Sequence, residues 1–188
     1  MNEDKIEYLE KYSVGIVGSR LLFEILWRSG IGCIRYVSDF ITTFETLYDC
    51  SLNPLEANNY DIVHPKSDDS CVISYLYPEK KSELRKLLGG VDLVVAHKHI
   101  AEVAEVSEQI GVPFIPDIVT VFLPDGIGFK EVEYPIFERD PVSYTITCGF
   151  QALEMMKIFA GLKPIIAPEA IIVDLEEGVK KICLKTLV

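Results

Sequence analysis

The stretch from Val14 to Asp39 leaves the chain little choice of topology. VGIV (Val14–Val17) is an apolar run of strand length, and GSR (Gly18–Arg20) is a tight turn. LLFEILW (Leu21–Trp27) then has the apolar spacing of a helix, stopped by Ser29 and Gly30. IRYV (Ile34–Val37) is a second strand, ending at Ser38 and Asp39. A helix between two such strands sets them side by side and parallel, and the crossover is right-handed. The opening of this chain therefore predicts an α/β domain.

The remainder continues the alternation. Asp4–Tyr12 reads as a short polar helix or arm, and Phe40–Tyr60 is less regular, with helical potential over Thr43–Tyr48 and a turn at Asn53-Pro54. Asp61–His64 reads as a short strand, and Glu79–Leu88 as a charged helix stopped by Gly89 and Gly90. Val91–Ala96 is a strand buried on both faces, because only Asp92 interrupts its apolar run. Ile100–Ile110 is an amphipathic helix ending at Gly111, and Val112–Ile115 is another strand. After Pro116 the pattern changes. Ile118–Leu123 and Ile127–Val132, joined through Pro124–Gly126, predict an antiparallel hairpin. Tyr134–Pro141 is an extended connection, and Tyr144–Phe159 is a long helix stopped by Gly161. Ala170–Asp174 and Val179–Lys185 form a second hairpin around Leu175–Gly178. A mainly parallel sheet covered by helices on both faces is expected. With no linker in its 188 residues, the chain reads as a single domain over 1–188.

The net charge of −11 argues against a general nucleic-acid role, which needs clustered Lys and Arg. Lys80, Lys81, Arg85 and Lys86 form a basic cluster, and a solvated helix face explains it. The apolar runs are too short for a membrane span. MNEDKIEYLEKY is polar and unlike a secretory signal, so a cytoplasmic protein is expected. The five cysteines (Cys33, Cys50, Cys71, Cys148, Cys183) are odd in number and include no C-x-x-C, which predicts reduced thiols for most of them rather than a disulfide framework or a zinc site.

Ligands of open α/β sheets gather beyond the carboxyl ends of the strands, and the candidate site residues fall there. The start of a helix offers N–H groups and a positive dipole end to an anion, so Gly18, Ser19 and Arg20 are candidates to hold a phosphate. The alternative is a plain strand-to-helix turn, since GIVGSR carries only part of a G-x-G-x-x-G fingerprint and Gly15 falls within the strand. Asp39 is placed to accept hydrogen bonds from a ribose. His97, Lys98 and His99 follow the Val91–Ala96 strand and suit an anionic ligand, the alternatives being metal ligation by the two histidines and a plain polar strand-end loop. Asp117 and Thr120 follow the next strand, where a carboxylate could hold Mg2+ or orient a substrate. Asp125, between Pro124 and Gly126, reads as turn chemistry. Cys148 reads as a structural thiol, and no resident metal site is expected.

Taken in series, these segments resemble the ThiF/MoeB/E1-like superfamily. SGIGCIRYVSD (Ser29–Asp39), Leu52-Asn53-Pro54, DLVVA (Asp92–Ala96) with GVPFI (Gly111–Ile115), and TCGFQALEMMKIFAG (Thr147–Gly161) running into IIVDLEEG (Ile171–Gly178) carry the likeness. It implies a Rossmann-like E1 core, usually a homodimer, that adenylylates a carboxylate using ATP and Mg2+. Arg20 and Lys98 would then supply charge in catalysis. Gly18, Ser19, Arg20, Asp39, His97 and His99 would bind the nucleotide, and Asp117 and Thr120 the substrate. The family's full glycine loop, its Asn-Leu-x-Arg-Gln segment and its zinc-binding cysteine pairs have no counterpart here. The family aspartate near the metal falls at about His99. In its compact body the chain most resembles the HcgE family of iron-guanylylpyridinol cofactor biosynthesis in methanogens, which implies activation of a pyridinol carboxylate as the reaction. Two other readings are a degenerate, non-catalytic E1-like dimer that binds a metabolite or protein partner, and a nicotinamide-dependent oxidoreductase.

Overall fold

The computed structural model describes residues 9–39, 71–135 and 140–187. The helical reading of Thr43–Tyr48, the turn at Asn53-Pro54, the strand Asp61–His64 and most of the Asp4–Tyr12 arm lie outside these residues. Five parallel strands form one sheet in the order β3-β2-β1-β4-β5: β1 Ser13–Val17, β2 Cys33–Ser38, β3 Cys71–Leu76, β4 Leu93–Ala96 and β5 Phe114–Ile115. Helices α1 (Arg20–Arg28), α2 (Lys81–Leu88) and α3 (Ile100–Ile110) connect them, α4 (Pro141–Phe159) follows, and β6 (Glu169–Asp174) pairs antiparallel with β7 (Gly178–Cys183).

The strand pleat sorts the core. Ile16, Ile34, Tyr36, Leu93 and Val95 face a cluster with Leu22, Phe23, Leu26 and Trp27 of α1 and Met155 and Phe159 of α4. Val17, Val37, Val94 and Ala96 point to the other face, against Leu84 and Leu88 of α2 and Val103 and Val106 of α3. Full burial of each large aliphatic side chain contributes about 1.5–3 kcal/mol, so both helical layers are held by the strands' alternation. Gly15, at the middle of β1, has an added Cβ's space taken by Leu88 Cδ2 at 2.8 Å. Its glycine thus serves helix–sheet packing from inside the strand.

Several element bounds shift for local reasons. β5 begins only at Phe114, because Val112 N–H closes α3 onto Ser107 and Pro113 has no N–H to donate. The long helix starts at Pro141 rather than Tyr144. Asp140 caps it by accepting from Val142 and Ser143 N–H, and proline suits the first helical position.

The antiparallel hairpin expected from 118–132 does not form. Val119 bridges Ile171, Val121 bridges Ile166, Phe122 bridges Phe114, and Val132 bridges Thr186, while Phe129–Glu131 is a 3-10 turn. The alternation in this segment is real, but its partners are distant elements, and Phe129 packs its ring against Phe114 and Phe122. The β6–β7 pair does form as expected. The expectation of reduced thiols is corrected for Cys33, which is disulfide-bonded, whereas Cys148 and Cys183 are free. Spacing rules see C-x-x-C pairs and not cysteines joined through the fold. Among the described residues no helix is long and apolar enough to cross a membrane.

Candidate functional site

The sheet changes winding direction between β1 and β4: strands β1, β2, β3 run one way from the centre, β4 and β5 the other. This switch opens a crevice at the carboxyl ends of the two central strands, where open α/β sheets take their ligands. Two strand-to-helix turns flank it.

The first turn is Gly18–Arg20. Gly18 adopts φ +77°, which an L side chain resists, and its N–H donates to Val37 O at 2.9 Å. Ser19 is fully buried and caps α1, its Oγ accepting from Leu22 N–H. The same hydroxyl lies 2.8 Å from Tyr144 Oη and 3.9 Å from Cys148 Sγ. The side chain of Ser19 thus faces α4 rather than the crevice, and only its backbone borders the cradle. Arg20 stands at the start of α1 beside Glu24, with Nε 3.4 Å from Oε1. Burial pushes the Tyr36 phenol up, with Arg20 pulling it back and Asp39 adding to the rise. Arg20 and Asp39 therefore act on the same buried ring.

The second turn is His97–His99. Lys98 reaches across it: a Cβ on Gly18 would lie 2.7 Å from Lys98 Cγ and 2.8 Å from its Cβ. Its Nζ then donates to Asp39 Oδ2 at 2.6 Å, and His99 Nε2 lies 2.9 Å from Asp39 Oδ1. The hydrogen bond from Lys98, and next that from His99, hold the Asp39 carboxyl below its ordinary range. His99 is left-handed at φ +53° and stacks on Tyr77, ring centroids 3.7 Å apart. Tyr77 donates to Glu102 Oε2, and burial together with that bond raises its phenol pKa.

Gly18, Asp39, Lys98 and His99 are therefore brought together, with Arg20 at the rim. His97 turns the other way. Its Nε2 lies 2.8 Å from Gln151 Oε1, and Tyr144 packs edge-on against its ring. Asp117 accepts a hydrogen bond from the Tyr134 hydroxyl. Thr120 is fully buried, its hydroxyl donating to Glu169 O, which places it in the packing beneath β6 rather than at the crevice.

The sequence reading missed three residues of this region: Tyr77, Tyr144 and Gln151. Tyr144, Cys148 and Gln151 recur at i, i+4 and i+7, a seam of hydrogen-bonding side chains along one face of α4. That seam was the available signal. Burial raises the Tyr144 phenol pKa to about 12, so it stays protonated and able to donate at neutral pH. Among the described residues no group of three or more His, Cys, Asp or Glu side chains gathers as a metal site.

No protein-family model matches the chain, and no curated protein matches it in sequence. Solved structures do match in fold. PaaA superposes with a TM-score of 0.69 at 17% identity, over 98% of this chain and 67% of that one. E. coli MccB with ATP gives a TM-score of 0.69 at 17% identity, over 96% of this chain and 66% of MccB. MccB with AMPCPP and MccA gives 0.67 at 15% identity, over 96% and 65%. This chain spans about two thirds of the length of these proteins and shares their fold.

Proposed function

We propose that this protein adenylylates a carboxylate, with ATP bound in the crevice between β1 and β4. The observation that carries the reading is the junction made by Lys98. Its stem lies on the Gly18 turn at the mouth of α1, and its ammonium reaches Asp39 at the end of β2. A phosphate-sized anion at the α1 N-terminus meets first-turn N–H groups, the helix dipole and the Lys98 charge, while Asp39 suits a ribose hydroxyl. The chain shares its fold with an MccB solved in complex with ATP, which supports a nucleotide as the ligand.

In this reading a substrate carboxylate oxygen attacks the α-phosphorus, the bond to the β-phosphate breaks, and pyrophosphate leaves. The chain contributes position and charge: the turn holds the phosphates, and Lys98 and Arg20 stabilise negative charge as it develops. Mg2+ would travel with the phosphates and neutralise them, with Asp117 at the end of β5 as the carboxylate offered to it or to the substrate. Among carboxylates, the guanylylpyridinol intermediate is the first candidate, nominated by the sequence resemblance. The uncharged exposed row Val142, Ile146 and Leu153 on α4 is the face this reading gives to a second copy.

ATP–pyrophosphate exchange dependent on an added carboxylate is the direct test. Exchange with a pyridinol carboxylate supports the full reading, exchange with another carboxylate keeps the reaction and changes the substrate, and no exchange with any of them overturns it. Sedimentation of wild type and Ile146→Glu tests the dimer: a monomeric wild type would remove that part.

A further inference from the structure

We infer that Gln151 is a positioning residue: it fixes the ring of His97, and through it the turn that presents Lys98 and His99. The inference deepens the nucleotide-binding reading and rests on it for its kinetic consequence. Gln151 is fully buried in α4, and its side-chain Nε2 donates to Pro116 O at 2.6 Å and Ile118 O at 3.4 Å. Both of those oxygens are acceptors only, so the amide nitrogen must face them and Oε1 must face His97. Oε1 lies 2.8 Å from His97 Nε2. An amide oxygen donates nothing, so the hydrogen sits on the imidazole. His97 is therefore held as the Nε2–H tautomer.

The ring is gripped on a second side by Tyr144, whose plane meets it at 84° with centroids 5.3 Å apart. The His97 N–H donates to Val17 O at 2.9 Å, so ring and backbone are both anchored at the end of β4. One helix thus ties three strand ends: β1 through Tyr144 and Ser19, β4 through Gln151 and His97, and β5 through Gln151 and Pro116. Lys98 and His99 make the two contacts to Asp39, and His97 acts as their fixed pivot. A ring free to rotate would let the turn drift, and a displacement of about 1 Å at a positioning group can cost on the order of 100-fold.

Side-chain 1H–15N spectra and exchange kinetics on wild type, Gln151→Leu and His97→Phe test this together. His97→Phe identifies the His97 signals and keeps the ring contact with Tyr144 without the N–H. Wild-type His97 is expected as a single Nε2–H tautomer, and Gln151→Leu is expected to lose it. Both variants should lower kcat/KM for ATP on the order of tenfold, since Lys98 is displaced but still present, and the double variant should add little to either. An Nδ1–H ring in the wild type, a tautomer unchanged in Gln151→Leu, or an unchanged kcat/KM in both folded variants overturns the proposal. If the wild type shows no exchange at all, the nucleotide reading fails, and the tautomer spectra alone decide the role of Gln151. Should Gln151→Leu fail to fold, the wild-type tautomer and the kcat/KM of His97→Phe still decide.

Discussion

The two turns that flank the crevice are built by opposite means. At Gly18–Arg20 the geometry comes from backbone and core: a glycine takes the left-handed angle, and a buried serine caps the helix and bonds into α4. At His97–His99 a histidine takes the left-handed angle, no side chain caps the helix, and a single carboxylate draws two basic side chains across. Apart from Arg20, which pairs with Glu24, the first turn is uncharged and set by backbone and core, while Lys98 and His99 of the second are exposed. Gly18 and Ser19 supply shape, and Lys98 with Arg20 supplies the field, so the two kinds of variant should fail in different assays.

The sharpest break is in the charged turn. Lys98→Ala should lower pyrophosphate exchange by about 100- to 1,000-fold, as loss of one charge stabiliser typically does, with an unaltered thermal transition. Arg20→Ala should act the same way, and retained exchange in either would remove it from the mechanism. Next comes the rigid turn. Gly18→Ala forces a side chain into the left-handed region and against Lys98, and should destabilise the fold by about 1–2 kcal/mol in denaturant titration. Ser19→Ala should cost about 1 kcal/mol through loss of the cap and the Tyr144 bond, with a smaller effect on exchange. The smallest effect concerns the strap itself. Asp39 has a lowered pKa in the folded protein, so its pairing stabilises above the ordinary carboxylate range and is lost as pH falls through the lowered value. Asp39→Asn should change stability at neutral pH by less than about 1 kcal/mol, since the pair is largely exposed, and should flatten the acid limb of the stability profile. An acid limb identical to wild type would show that the strap carries no linkage.

The parallel core was legible because its signals are local. VGIV, IRYV and LVVA announce buried strands by composition, and Gly30 and Gly111 mark helix ends. The edge strand β3 escapes a sequence reading, because Ser74 interrupts its apolar run and Ile73 and Leu76 stay exposed, a weaker pattern than a central strand gives. The 118–132 segment reads as a local hairpin because its period of two is visible while its partners, Ile166 and Ile171, lie far along the chain. At the site, position along the sequence found Gly18, Asp39, Lys98 and His99, since all follow strand ends. It could not tell that Ser19, His97 and Thr120 turn inward. That depends on α4 and β6 supplying Tyr144, Gln151 and the Glu169 carbonyl from across the fold.

Whether the crevice is a nucleotide site is decided by titration calorimetry with Mg·ATP. Wild type should bind in the micromolar range, and Lys98→Ala should bind more weakly while keeping its thermal transition. No heat of binding by a folded wild type at millimolar Mg·ATP would contradict it, and the catalytic roles given to Arg20 and Lys98 would fall together.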